Sequence, residues 1–508
     1  MNGTRLGSLA LAVVLLAAAN CAAADQCTAL NDRSVGAARI TSADSVPAGV
    51  VLDVTPTSVT TNAPFCRVRF RLETAINVEL WLPGANTWNH RFLGAGVGGS
   101  AGTFNYRGLG RALNRGFAAA SSDTGHSIDQ KDWMLDGQAA VNYAHRAVHL
   151  MTDASKAIVK GFYGAAAKRA YFMGCSGGGR EALKEMQLYP QDYDGILAGA
   201  PGPNMPLLSV RHMLSALAQE RSPTKLDPRD WTLVRQGAAK ACGADDQAHA
   251  GVMIDPRACR FDASTLNCSS SVAPACLSAE KIALIEAIAA PAVDEHGVRL
   301  DDGLLPGVSA RPGPPPTLLL ELFGQGVHHD ANWNPEQFIP SEDLAAVYRD
   351  FPDMRADDPN LRAFEALGHK AIVYQGWMDP SVLAQSTVAY YEKVAARAGS
   401  VRKAQEFIRL FMVPGMLHCG GGDGTDLFGG EAGSVSLDPG HDALSSLIQW
   451  VETSRAPQEI IAARMLNNEV VRTRPLCAYP LVEHYKGSGD AADAANFQCS
   501  TLAAGERR

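Results

Sequence analysis

The stretch Gly174-Cys175-Ser176-Gly177-Gly178 constrains the fold of this 508-residue chain more than any other. It lies between the apolar run Ala170-Tyr171-Phe172-Met173 and the helix-forming run Arg180-Glu181-Ala182-Leu183-Lys184-Glu185-Met186. Strand, G-x-S-x-G, helix is the sequence form of a nucleophile elbow. Such a turn needs small residues at its shoulders, because the chain passes close to itself. It leaves a serine hydroxyl at a helix N-terminus, where backbone N–H groups and the macrodipole favour negative charge. Five residues alone are a weak signal in a glycine-rich chain, and the flanking elements strengthen it. The cysteine beside the serine needs its own explanation.

A chain of this length exceeds one compact core and implies about two to four domain-sized units. With 46% hydrophobic residues it is globular, and a net charge of −8 without a basic block disfavours nucleic-acid binding. The N-terminus reads as an export signal: Arg5 in the basic region, an apolar stretch from Leu9 to Ala19, and Ala22-Ala23-Ala24 as the cleavage site before Asp25. That stretch is too short to span a bilayer, and no later run is long enough. Removing residues 1–24 takes Cys21 and leaves ten of the 11 cysteines, at 27, 66, 175, 242, 259, 268, 276, 419, 477 and 499. An even count in an exported chain argues for disulfides and a secreted or periplasmic location.

Along the chain, Arg67–Leu72 and Ile76–Leu82 read as strands, followed by Arg91 to Gly99, a strand running into a glycine-rich loop. Gly94-Ala95-Gly96-Val97-Gly98-Gly99 fits a dinucleotide fingerprint, but it lacks the β-α-β context and the acidic residue about 20 positions on. No cofactor is expected there. A small-residue loop can instead offer a backbone N–H to an oxyanion. His145 and His149 sit at i, i+4, but Arg146 occupies the position of a zinc protease's glutamate, so a structural helix is the better reading. Strand–helix alternation lapses from 203 to 365, a Pro- and Asp-rich segment with four cysteines that reads as an insertion stapled by disulfides. It resumes with a strand at 371–375, a helix at 382–397, a strand at 407–413 and an amphipathic helix at 441–453 with Ala443, Leu444, Leu447, Ile448 and Val451 on one face.

A serine hydroxyl attacks only when a positioned base takes its proton, and the base needs an anion to fix its tautomer. In α/β-hydrolases these follow in the order Ser, acid, His, each at or just after a strand end. Asp379 in Gly376-Trp377-Met378-Asp379-Pro380 follows the 371–375 strand, and His418 in Pro414-Gly415-Met416-Leu417-His418-Cys419 follows the 407–413 strand. Asp123 and Asp423 stand as alternative acids. Cys175 precedes the serine and Cys419 follows the histidine. If Ser176 and His418 come within hydrogen-bond reach, their neighbours fall within the Cα spacing a disulfide requires.

With these residues in hand the chain resembles the tannase and feruloyl esterase family, which carries a Cys-Ser, Asp, His-Cys signature. The resemblance rests on Gly174–Arg180, Asp194–Pro201, Gly376–Pro380, His418-Cys419 and the helix from Asp442 to Glu452, and spans nearly the whole mature chain. It implies an α/β-hydrolase catalytic domain, residues 25–202 and 366–508, with a large disulfide-stapled lid, 203–365, inserted between the Ser and Asp strands. By position it makes Ser176 the nucleophile, His418 the general base and Asp379 its orienter. The oxyanion hole would use the N–H of Gly177 and one from Gly98 or Gly99. The family's pairing pattern would add Cys27–Cys66, Cys242–Cys259, Cys268–Cys276 and Cys477–Cys499 to Cys175–Cys419.

The resemblance breaks at one place. Family members hold a calcium ion in the lid loop, through three Asp carboxylates and two backbone carbonyls. In Cys242–Val252 only Asp246 stands at a matching carboxylate position, with Gly243 and Ala250 at the other two; Ala248 and Val252 would supply the carbonyls. Calcium takes six to eight oxygens and gains affinity with ligand charge, so no cofactor is expected to be required. The expected activity is hydrolysis of a small-molecule aromatic ester through an acyl-enzyme, feruloyl-type esters first. Galloyl esters and the half-ester mono(2-hydroxyethyl) terephthalate are the alternatives, and a non-catalytic binding module or a peptidase are the rivals of another class. Specificity residues are expected in the lid, around Trp333 and Phe338. Oligomeric state is not legible in the sequence.

Overall fold

The computed structural model describes residues 26–502, except 50, 55–56, 73–74, 245, 269–275 and 312. The export-signal residues 1–24 lie outside the described residues. By compactness the chain forms two units. One comprises the described residues up to Val97, Ala101–Gln130 and Arg146–Phe172; the other comprises Gly98–Ser100, Lys131–His145 and everything from Met173 onward.

The first unit carries β1 (Ser34–Val35), β2 (Ala38–Val46), β3 (Val51–Val54), β4 (Thr57–Thr60), β5 (Phe65–Arg71), β6 (Asn77–Pro83), β7 (Arg91–Ala95), β8 (Ala118–Ser122) and most of β9 (Arg169–Cys175). Their order is β1-β2-β5-β6-β8-β7-β9, with β3 and β4 forming a separate hairpin. The β2/β5, β5/β6 and β6/β8 pairs are antiparallel, whereas β7 and β8 run parallel. β2 alternates buried and exposed residues over much of its length, as a strand with one solvated face should. Cys27 and Cys66 are bonded here.

The second unit continues from the end of β9 through β10 (Gly195–Gly199), β11 (Lys370–Gly376) and β12 (Ile408–Val413). β10, β11 and β12 pair in parallel, Ile196 opposite Ala371 and Ile372 opposite Arg409. β10 and β12 are buried at every residue and β11 at all but the first, which is why they read as unbroken apolar runs instead of alternating ones. Helix Gly177–Leu188 packs on β10, helix Ala384–Ala398 on β11, and helix Ala443–Thr453 on both. The last buries Ala443, Leu444, Leu447 and Trp450, leaving Ile448 and Val451 at its half-buried margin. β13 (Glu459–Leu466) and β14 (Glu469–Cys477) form an antiparallel pair, as do β15 (Val482–Tyr485) and β16 (Phe497–Ser500), and Cys477–Cys499 ties one pair to the other.

Residues 203–365 contain no strand among the described residues, but they are far from irregular. Helices span Met205–Arg221, Pro228–Ala241, Ala279–Ala289 and Pro340–Asp350. Their start signals are local: Asn204 caps the first, with Pro206 in the opening turn, and Asp227 with Asp230 forms a capping box on the second. A separate core of Trp231, Val234, Leu277, Ile282, Ile285 and Ile288 joins the first three, and Pro340–Asp350 packs on Met205–Arg221. Cys242–Cys259 and Cys268–Cys276 are both bonded.

Candidate active site

Every residue of the site belongs to the second unit. β9 delivers the chain into a turn at Ser176, whose backbone sits at φ 62°, ψ −123°, a region a side-chain-bearing residue enters only under strain. The close packing around it demands glycine. A Cβ on Gly174 would lie 2.5 Å from the Gly178 carbonyl oxygen, and one on Gly179 would lie 2.1 Å from that of Gly199. Ser176 N–H donates to Gly199 O at 3.0 Å, docking the elbow on β10. Helix Gly177–Leu188 has no side-chain cap, so its first N–H groups stay open to an anion.

The loop Gly98–Ser100 runs alongside. A methyl group on Gly98 would lie 3.6 Å from Ser176 Cβ and 4.0 Å from its Oγ, so the glycine lets backbone approach the hydroxyl. Tyr143 pins this loop by donating its hydroxyl to Gly99 O at 2.8 Å. Its own segment is fixed in turn by Arg180 of the elbow helix, which donates to Ala144 O at 2.7 Å and Tyr143 O at 2.9 Å with its guanidinium over the Tyr143 ring.

Asp379 leaves β11 with its side chain fully buried. Oδ1 accepts from Ser381 N at 2.7 Å and Val382 N at 2.9 Å; Oδ2 accepts from Gln375 Nε2 at 2.9 Å and faces His418 Nδ1 at 2.9 Å. With an ionised carboxylate as partner, Nδ1 carries the hydrogen, leaving Nε2 of the neutral ring as a base. The histidine loop is held by Met378 N–H donating to Met416 O at 3.1 Å, and by Arg464 of β13 donating to the carbonyls of Gly422 and Gly424. Cys175 and Cys419 are bonded, with Cα atoms 6.0 Å apart. Ser176, Gly177, Gly99 and His418 line one cavity of about 680 Å³, within the usual range for a small-molecule site.

Both alternative acids are engaged elsewhere: Asp123 with Asn77 in the first unit, Asp423 in an ion pair with Arg235 at 2.7 Å. Trp333 and Phe338 do not line the cavity. Trp333 stacks on His328 and Phe338 packs edge-on against Phe323, because large aromatics in a small helical unit go first to its core. The cavity wall comes instead from Met205, Leu208, His212, Arg311, Leu318 and Leu319. Gln375 and His212 had no sequence motif to mark them. The one trace of Gln375 is a polar residue closing an apolar strand four positions before Asp379.

The described residues of the loop 242–252 do not fit calcium. Its matching carboxylate, Asp246, is paired with His249 Nδ1 at 2.7 Å and accepts the His249 N–H as well. The Ala248 carbonyl, one of the two oxygens such an ion would need, accepts from Arg474 Nη2 at 2.8 Å, so a guanidinium stands against it. The other, the Val252 carbonyl, brings no charge.

Comparison with known proteins follows the same lines. The family described as "Tannase and feruloyl esterase" matches residues 58–309 and 331–500. An "uncharacterized esterase" of Xanthomonas campestris pv. campestris is 34% identical, covering 98% of this chain and 95% of its own. A "probable feruloyl esterase B-2" of Aspergillus terreus is 30% identical over 87% of each chain. The crystal structure of feruloyl esterase B from Aspergillus oryzae superposes with a TM-score of 0.86 at 26% identity, covering 94% of this chain and 100% of that one.

Proposed function

The chain belongs to the tannase and feruloyl esterase family, with its α/β-hydrolase fold, and from that premise we propose that it is a serine hydrolase of aromatic carboxylic esters. Ser176 Oγ attacks the ester carbonyl while His418 Nε2 takes its proton. Asp379 holds Nδ1–H and balances the imidazolium. The N–H of Gly177 and one from Gly98 or Gly99 receive the oxyanion. The tetrahedral intermediate collapses to an acyl-serine, and His418 returns the proton to the departing alcohol. Water, deprotonated by the same histidine, then releases the acid and restores Ser176.

The observation that carries this reading is the pairing of His418 Nδ1 with a buried, fourfold-satisfied Asp379 on a cavity that Ser176 also lines. Residues 203–365 act as the lid over that cavity, supplying Met205, Leu208, His212 and Leu319 to its wall. No calcium is needed, because Arg474 supplies a fixed cation at the Ala248 carbonyl. Residues 1–24 direct export and are removed. Five disulfides support an oxidising destination, and no helix among the described residues is long and apolar enough to cross a membrane.

A panel of methyl ferulate, methyl gallate and mono(2-hydroxyethyl) terephthalate, ranked by kcat/KM, tests the substrate class, with the ferulate ester expected first. A peptide panel turned over faster than all three would overturn the ester reading.

A further inference from the structure

Helix Met205–Arg221 sends Met205, Leu208, Ser209 and His212 to the catalytic cavity. These fall at i, i+3, i+4 and i+7, a single stripe roughly 10 Å long. Its near end is apolar and its far end is an imidazole. His212 Nε2 lies 2.7 Å from the Ser381 carbonyl oxygen. A carbonyl only accepts, so Nε2 carries the hydrogen. Burial drives the His212 pKa down; the Ser381 carbonyl and Asp379 oppose this, and Arg311 and Arg211 reinforce it. With its hydrogen on Nε2, the neutral ring that burial favours leaves Nδ1 as a lone pair, for which the described residues provide no hydrogen-bond partner.

Nδ1 differs from the other polar groups of the cavity wall. The Tyr143 hydroxyl is engaged with Gly99 O, the Arg180 guanidinium with two carbonyls, and Ser209 Oγ with Met205 O. Arg311 can only donate, and the hydroxyls of Ser100, Thr317 and Ser381 can both donate and accept. His212 Nδ1 only accepts, and unlike His418 Nε2 it takes no part in the proton transfer, so it distinguishes a hydroxyl from an ether at the same place.

We propose that His212 Nδ1 accepts a hydrogen bond from the ring hydroxyl of the aromatic acyl group, making His212 the residue that reads hydroxylation of the substrate. The ring lies along Met205 and Leu208 and its hydroxyl reaches His212. The same imidazole is also a positioning residue. Its Nε2–H holds the Ser381 carbonyl, and the N–H groups of Ser381 and Val382 hold Asp379 Oδ1, so recognition and the acid loop share one side chain. This inference rests on the aromatic-ester reading.

The test compares methyl 4-hydroxycinnamate, methyl 4-methoxycinnamate and methyl cinnamate in wild type, His212→Gln and His212→Leu. Wild type is expected to favour the hydroxy over the methoxy ester by about tenfold in kcat/KM, the scale of one net hydrogen bond. His212→Gln keeps an N–H for Ser381 but moves its acceptor away from the Nδ1 position, so the ratio should fall towards one. His212→Leu should lose the ratio and also lower kcat on methyl cinnamate, which carries no hydroxyl; His212→Gln should restore part of that kcat. A hydroxy-to-methoxy ratio near one in wild type, or one unchanged in both variants, overturns the inference while leaving the esterase reading intact. Failure of wild type to hydrolyse any of the three overturns both.

Discussion

Cys175 and Cys419, 244 positions apart in sequence, are joined by a disulfide, and each is the immediate chain neighbour of a residue of the proposed triad, Ser176 or His418. Of the five disulfides this one closes the longest loop, at the point where the proposed nucleophile and base would meet. Closing a long loop stabilises a protein by roughly 2–4 kcal/mol in practice. The double variant Cys175→Ala/Cys419→Ala should lose about that much in denaturant unfolding and lose kcat with little change in KM. Full retention of kcat would mean that the histidine loop is positioned without the bond.

Gln375 sits beneath Asp379, donating to Oδ2 at 2.9 Å while its Oε1 accepts from Thr387 Oγ1 at 2.9 Å. It is wholly buried. A hydrogen bond to a charged group contributes roughly 1.5–3 kcal/mol. Gln375→Leu should lower kcat by about tenfold or more with KM nearly unchanged, since the residue touches the acid and not the substrate. A KM effect with normal kcat would contradict that role.

Glu483 is buried beside Arg474, and its Oε2 has no partner among the described residues. Burial, opposed by Arg474 and Arg472, raises its pKa to about 7 from the ordinary glutamate value. The folded state thus holds a proton that the unfolded chain releases at lower pH. Glu483 adds no penalty below about pH 4, the penalty grows as pH rises towards 7, and it levels off above. The Tm difference between Glu483→Gln and wild type should therefore be more favourable to the variant at pH 8 than at pH 5. An equal difference at both pH values would contradict the burial of an ionisable group there.

Arg474 also holds the Ala248 carbonyl in the loop whose composition argues against calcium. Thermal melts after exhaustive chelation, and again with millimolar calcium, should coincide. Arg474→Met should lower Tm, and calcium should not restore it. A rise of several degrees with calcium in wild type would mean that the loop still takes an ion.

Much of the candidate site was legible because each part carries a local signature. Ser176 lies between a strand and a helix, Asp379 and His418 follow apolar runs closely, and a cysteine beside each of two distant residues links them. Gln375 was illegible since a single polar residue ending a strand looks like any strand end. His212 was hidden for a different reason: it lies on a helix in a segment without strand–helix alternation, although Asn204, Pro206, Asp227 and Asp230 are clear start signals. Trp333 and Phe338 lie in the lid as expected of specificity residues, but they pack on His328 and Phe323 and not on the cavity.

The most direct measurement is hydrolysis of methyl ferulate and p-nitrophenyl esters by purified Ser176→Ala beside wild type, with Tm recorded for both. Loss of a serine nucleophile should lower kcat/KM by about 10⁴-fold or more while the variant stays folded. Equal hydrolysis by the two proteins would contradict the assignment of Ser176, and with it the elbow, the triad and the acyl-enzyme.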